Sequence, residues 1–411
     1  MGRLSLENLR IIDLGQVYAG PLAGRLLADM GAEVVRVESA VRSGRGGLKP
    51  QPGAVYPDSD PSERPYNRSA YYNELNRNKL AVGLNLSQEQ GREVFKRLVK
   101  ISDVVIENFS PRVMANFGLD YPVLRQVNPE IIMVSISGYG QTGPYRDYVS
   151  FGRGIEAMAG LSQATGYEAG QPLGPGIAYA DANAGLHAAF AVLVALRQRR
   201  RTGKGQHIDL ALRETLTALL GEQIMDYSMN RRSPARRGNR DCPEIFQGCY
   251  RCLGDDAWIT IAICSEGEFG SLLGVIGNPQ NPPEFSFSKR EPEELDRLIE
   301  TWTLEHESEE AMDILQCSGV RAGVVCGAGE LIRNPQLRAR GFFENVTHPE
   351  AGTHVNPGMA WKMSRTPGEI RMPAPCFAQH NGYVFGELLG MSENEIIKLG
   401  KEGIIAHAPT V

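Results

Sequence analysis

The sequence predicts an α/β fold built on a doubly wound parallel sheet. Short apolar runs bounded by turn residues recur through residue 140, and helical stretches with one apolar face stand between them. The links are short, so each strand–helix–strand step closes as a right-handed crossover.

LRIIDLG reads as the first buried strand, ending in Gly15. AGPLAGRLLADMGA follows with Leu22, Leu26, Leu27 and Met30 at helical spacing, and Gly31 stands where a helix C-terminal glycine belongs. EVVRVE is the second strand. From Arg42 to Tyr72 the chain is rich in Gly, Pro, Ser and Arg and reads as a long loop, a feature that in compact domains is often functional. LAVGLNL is another strand. Residues 87–101 read as a helix with Ser87 as N-cap and Val94, Phe95, Leu98 and Val99 on one face. DVVIENF and IIMVSISGYG are two further strands. Residues 181–201 form a long helix, apolar on most sides and therefore buried in the protein or at an interface. RQRRR follows where cations suit the helix dipole. HIDLALRETLTALLGEQIMDYSM starts as a strand and continues as another buried helix. The composition changes after Met229: RRSPARRGNRDCPEIF reads as a basic linker, residues 246–264 as a hairpin turning at Gly-Asp-Asp, and residues 268–330 as a small second domain. SENEIIKLG is a final helix with Ser392 as cap and Glu395 at its third position.

At 411 residues the chain fits two domains, or one large domain carrying an insertion. A net charge of −5 gives no global attraction to nucleic acid or an anionic membrane. The N-terminus lacks the pattern of a signal peptide, and no run of about 18 apolar residues predicts a membrane span. Seven scattered cysteines point to free thiols in a reducing cytoplasm. Cys249 and Cys252 form a CxxC, but no second pair has zinc spacing and the segment reads as a strand, so no metal is expected. The turn after the first strand is not a GxGxxG, which argues against a nicotinamide oxidoreductase.

Eight blocks, in order, carry a family resemblance: DLGQVYAGPLAGRLLADMGAEVVRVE, NRNKLAVGLNL, DVVIENFSPRVMANFGLDY, SISGYGQTGPY, YADANAGLHAA, RRTGKGQHIDLAL, GNRDCPEIFQGCYRC and LIRNPQLRARGFF. On these the chain resembles the family III CoA-transferases over almost its whole length. The resemblance implies a Rossmann-like large domain with an inserted smaller α+β domain, paired as an interlocked-ring dimer. Residues 1–205 would be the first part of the large, CoA-binding domain, 206–240 a linker, 241–330 the small domain, and 331–411 the return linker and the remainder of the large domain. Partners would be an acyl-CoA and a free carboxylic acid, with coenzyme A a substrate and no cofactor permanently bound. The subunits would form a homodimer, or a heterodimer with a related chain.

The resemblance makes Asp181 the catalytic nucleophile. Taken alone, an Asp at the start of an apolar helix reads as an N-cap, and both roles are compatible. Ala182, Ala184 and Gly185 are small enough to let a bulky thioester approach. The loop holding Val17, Tyr18 and Ala19 would border the CoA thiol; its bland reading is a helix start. Arg36 would meet the adenosine end, Asn78 and Lys79 would follow with Lys79 on a phosphate, and Asn108, Phe109 and Arg112 would wrap CoA. Met114 and Phe117 would contact adenine or pantetheine, though core packing explains such residues equally well. Gly138, with Gly140, would offer backbone N–H groups to an acyl oxygen. Two departures stand out. The stretch Tyr148–Arg153 lacks the His of related racemases, and Gly152 stands where some transferases hold an acid near the nucleophile. Arg237 and Arg240 of the basic linker are candidates to bind the second carboxylate of a dicarboxylic acid. His187 reads as a buried structural histidine. A non-catalytic partner subunit of a heteromeric transferase is the alternative, and Asp181 argues against it.

Overall fold

The structure, a computed structural model, describes residues 4–41, 50, 53–233, 235–240, 246–277 and 292–410. They form two compact units, one of Met1–Ser162, Gly174–Arg232 and Arg338–Val411, the other of Gln163–Leu173 and Ser233–Leu337.

The larger unit is built on seven strands. In chain order they are β1 (Arg10–Asp13), β2 (Glu33–Glu38), β3 (Lys79–Leu84), β4 (Val104–Glu107), β5 (Ile132–Ser137), β6 (His207–Ala211) and a short edge strand, Ile405–Ala406. The spatial order is edge–β3–β2–β1–β4–β5–β6, with β1 to β6 parallel and the edge strand antiparallel to β3. The helices that matter for the site are α1 (Ala19–Asp29), α2 (Glu89–Lys100), α3 (Gly152–Met158), α4 (Tyr179–Thr202), α5 (Leu212–Thr217) and α6 (Gly221–Asn230). Because successive strand residues point to opposite faces, Ile11, Val34, Val104 and Val134 join α1 and α4 in one core, while Ile12, Val35, Val105 and Met133 join α2 in another. Both faces are covered, as near-continuous apolar strands require. The chain runs outward from β1 through β2 to β3 and then returns to place β4 on the other side of β1. Beyond the carboxyl ends of β1 and β4 this reversal opens the crevice where open α/β sheets bind ligands.

Four sequence readings need correction. Residues 206–240 do not begin as a linker, because His207–Ala211 pairs with β5 as an edge of the sheet. At an edge only Leu210 and Ala211 are buried, so the strand reads as polar. Ser87 does not cap α2: its hydroxyl donates to Asn85 Oδ1 and Gln88 holds the cap position. His187 is exposed rather than buried, on the outward side of α4. Finally, α4 is long and apolar enough to cross a bilayer by composition, but its inner face packs on α1 and β5. A Cβ at Gly185 would meet the Ala19 carbonyl oxygen at 2.9 Å, so this small residue serves close packing of α4 against α1.

The smaller unit has its own core. β7 (Phe246–Arg251), β8 (Trp258–Ile263) and β9 (Arg321–Val324) form an antiparallel sheet covered by α7 (Glu266–Ile276), α8 (Pro292–Thr303) and α9 (Ser308–Cys317). Arg240 lies over the Phe246 ring, 4.4 Å from its centroid, and pairs with Asp296 and the Gln247 carbonyl. Its guanidinium is thereby committed within this unit, against the expectation that it binds substrate.

Candidate active site

The site is built where β1 and β4 end. After β1 the chain turns through Gln16 and Val17 into α1; after β4 it turns through Asn108. The Asn108 amide clamps the first loop at both polar atoms, its Nδ2 donating to the Gln16 carbonyl at 2.8 Å and its Oδ1 accepting from the Gln16 N–H at 2.6 Å. Val17 has φ +58°, a left-handed conformation that a β-branched residue adopts only under constraint. The clamp at Gln16 and the packing of Ala19 under α4 supply that constraint.

Asp181 lies in the first turn of α4. Ala178 holds the N-cap position and its side chain offers no oxygen, and Asp181 stands three residues further on, so Asp181 is not the cap. Its carboxylate faces a pocket of about 210 Å³ lined also by Val17, Ala19, Asn108, Gly138 and Gly152. At Gly152 an added Cβ would lie 2.7 Å from Asp181 Oδ2, so the absence of a side chain there gives the carboxylate its space. Burial, with the charge of Glu156 second, raises the Asp181 carboxyl from 3.8 to about 6. The Asp181 carboxylate is thus ionised at neutral pH but more basic than an ordinary aspartate. Tyr71, on the helix Ala70–Asn76, is coupled to Asp181, and its hydroxyl is held well above its ordinary value chiefly by burial and then by that charge. Its ring lies 5.8 Å from that of Tyr18.

A second groove, of about 620 Å³, runs along the ends of β1, β2 and β3. Leu14, Val37, Leu86, Val113 and Phe117 make it largely apolar, and it shares Gln16 and Phe109 with the Asp181 pocket. A long ligand with an apolar or aromatic group at one end can lie in the groove and present its other end to Asp181.

Of the expected residues, the fold brings Asp181, Val17, Ala19, Asn108, Phe109 and Gly138 to one pocket and Phe117 to the adjoining groove. It withdraws others. Arg36 is 1% exposed; it donates to the Gly15 carbonyl and pairs with Glu38 and Asp13. Lys79 is fully buried, its three donor directions taken by Asp13, the Pro21 carbonyl and Asn76. Neither meets a phosphate. Both hold the Gly15–Pro21 segment from beneath, so they shape the site's first wall instead of touching ligand. Asn78, at φ +61°, is consumed by Asp29, Glu369, Arg371 and Met372. Met114 belongs to the core, and Arg112 is exposed without lining either cavity. The site also contains residues the sequence did not single out. Tyr71 comes from the helix Ala70–Asn76, at the end of the stretch that the sequence reads as a long loop, Arg146 from the segment after β5, and Glu156 from α3. Only Glu156 left a trace, as a lone acid in the apolar stretch IEAMAGL, four residues after Gly152.

Sheet and site together define an α/β protein with a half-buried carboxylate in a pocket at the carboxyl ends of its strands. Residues 6–381 match CoA-transferase family III. The chain is 34% identical to a succinyl-CoA–D-citramalate CoA-transferase of Chloroflexus aurantiacus over 406 residues, covering 97% of this chain and 98% of that one. It is also 34% identical to a succinate–glutarate CoA-transferase of Agrobacterium fabrum, over 93% of this chain and 95% of that one. A crystal structure of a CAIB/BAIF family protein from Brucella suis superposes with a TM-score of 0.84 at 30% identity, covering 94% of this chain and all of that one. The chain belongs to CoA-transferase family III and is a CoA-transferase.

Proposed function

We propose that the chain moves CoA from a thioester to a free carboxylic acid by covalent catalysis at Asp181. The observation that carries this reading is the Asp181 carboxylate, raised by burial to about 6, facing a pocket that shares Gln16 and Phe109 with an adjoining groove suited to the pantetheine and adenine of CoA. The carboxylate attacks the donor's thioester carbonyl and expels CoA thiolate, leaving a mixed anhydride. The thiolate then attacks the Asp181 carbonyl, releasing the donor acid and forming an aspartyl-CoA thioester. The acceptor carboxylate attacks that thioester, again expelling thiolate. The thiolate attacks the acceptor's carbonyl in the new anhydride and restores the Asp181 carboxylate. One acyl-CoA and one acid exchange CoA, with no water consumed and no electron transferred.

Succinyl-CoA as donor and a dicarboxylic acid as acceptor is the pairing the relatives' names support; an aromatic acceptor is also compatible with the apolar groove. Arg146, the basic side chain lining the Asp181 pocket, is placed to meet a second carboxylate. Two copies, or one copy and a related chain, would pair as a dimer. Leu186, Phe190, Leu193 and Val194 on α4, and Met225 and Met229 on α6, are large apolar residues left exposed in the single chain, which supports an assembly.

The test is intact mass spectrometry after brief incubation with succinyl-CoA and other thioesters, with and without hydroxylamine. A CoA-sized adduct that hydroxylamine removes is expected in the wild type and not in Asp181→Ala. If the wild type binds acyl-CoA yet forms no adduct, the reading fails.

A further inference from the structure

Glu156 is a fully buried acid that the transfer chemistry does not use. It sits on α3, one helical turn after Gly152. Its Oε1 accepts from the backbone N–H of Tyr179 at 3.1 Å and of Ala180 at 3.4 Å, both in the first turn of α4. Its Oε2 is buried without a hydrogen-bond partner, and a Cβ at Gly174 would stand only 3.2 Å from it. A carboxylate in such a place carries a large desolvation cost, and leaving one oxygen unbonded adds to it. A neutral side chain at the N-cap would satisfy the same N–H groups at no such cost. At the N-cap, however, stands Ala178, which offers no oxygen.

We infer that Glu156 is a positioning residue for Asp181, capping α4 from the neighbouring helix so that two of the helix-end N–H groups are spent on it and the nucleophile keeps its strength. A free helix N-terminus stabilises an anion in its first turn and so makes it a weaker nucleophile. Glu156 takes up two of those donors and sets its own negative charge next to the reacting carboxylate. Both effects disfavour a relaxed Asp181 anion, in keeping with the raised Asp181 carboxyl, for which Glu156 is the second cause after burial. Two residues of α3 thereby divide the work: Gly152 clears the space for Asp181, and Glu156 fixes the turn that aims it. Among the described residues, the ionisable groups around Asp181 are Glu156 from α3, Tyr71 from the helix Ala70–Asn76 with Tyr18 against it, and Arg146 and Tyr148 from the wall of the pocket.

This inference rests on Asp181 as nucleophile. It is tested by the pH dependence of kcat/KM, and of the rate of adduct formation, in Glu156→Gln. Glutamine keeps an oxygen for the Tyr179 and Ala180 N–H groups and removes the charge. The acidic limb is expected to move to lower pH by roughly half a unit or more, because losing a like charge eases ionisation of Asp181. The plateau rate is expected to fall about three- to tenfold, because a less basic carboxylate attacks more weakly. Gly174→Ser is the second variant, since a hydroxyl there can donate to Oε2 and blunt the same charge; its limb should move in the same direction. Should Glu156→Gln fail to fold, the Gly174→Ser limb decides. A wild-type adduct together with an unmoved limb and plateau would overturn the inference and leave the role of Asp181 standing. A wild type that forms no adduct would overturn both.

Discussion

Gly152 and Asp181 are in steric register: a Cβ at position 152 would come within 2.7 Å of Asp181 Oδ2, closer than two such atoms approach. The glycine opens α3, where the backbone needs no left-handed conformation, so its smallness matters and its flexibility does not. Gly152→Ala is therefore expected to turn the Asp181 carboxylate away from the pocket. We expect kcat to fall about ten- to a hundredfold, the scale of loss that accompanies a misplaced reacting group. The melting temperature should change little, because the residue is only half-buried. Steady-state kinetics beside a thermal melt checks both, and an unchanged kcat would show that the carboxylate can yield without cost.

The raised Asp181 carboxyl makes a prediction about pH. Its proton is bound more tightly in the folded chain than at the ordinary value of 3.8, so ionisation costs stability above about pH 6, and the cost fades as pH falls toward 4. The rise to about 6 corresponds to roughly 3 kcal/mol before allowance for solvent and to on the order of 1–2 kcal/mol after it. Asp181→Asn should abolish transfer and yet stabilise the fold by that smaller amount at pH 8, with no gain at pH 4. In the wild type, kcat/KM should decline as pH falls through about 6, since attack requires the ionised carboxylate. Urea denaturation at the two pH values, with a pH–rate profile, measures these effects. Equal stability of the two proteins at pH 8 would refute the cost of ionisation.

Arg36 and Lys79 separate structural from binding roles. Both are enclosed with Asp13, and each also donates to a carbonyl of the Gly15–Pro21 segment. Removing one partner leaves Asp13 buried and short of countercharge, which costs about 3–5 kcal/mol. Lys79→Met should lower stability by that amount, read by denaturant titration. In the folded fraction, KM for the acyl-CoA should change little. A large rise in KM with stability intact would return Lys79 to the phosphate.

The difference between what was legible and what was not follows the same line. Strands such as IIMVSIS and EVVRVE announce themselves because both faces of a parallel sheet are covered, so their apolar runs are unbroken. The loops after β1 and β4 were legible as neighbours at the carboxyl edge of the sheet because they follow such strands directly, and they line one pocket. The charges were not, because a sequence shows that Arg36 and Lys79 are basic and conceals that Asp13, one strand away from Arg36 and two from Lys79, pairs with both. His187 was misplaced for a related reason: the outward side of α4 is apolar enough to look buried. Tyr71 and Glu156 reach Asp181 from segments distant in sequence, and no local spacing ties them to it.

The groove along β1, β2 and β3 allows the nucleotide end of CoA to be located by charge. Its lining is largely apolar, with Leu84, Leu86, Val113 and Phe117, so if the acyl-CoA lies there as proposed, the groove takes a ring or a pantetheine arm and the phosphates stay toward solvent. Ser87 lines the groove, exposed, its hydroxyl bonded only locally to Asn85. Ser87→Asp would place a negative charge beside the phosphates without disturbing the core. KM for the acyl-CoA should rise about three- to tenfold at low salt, and the rise should shrink as salt shortens the reach of the repulsion to about 8–10 Å. KM for the free acid should be unaffected, because the acid is used at Asp181 and not in the groove. Ser87→Asn, equal in size and uncharged, should behave as the wild type. If aspartate raised both KM values alike, or asparagine matched it, the effect would be one of loop structure, and the nucleotide would have to lie elsewhere along the strand ends.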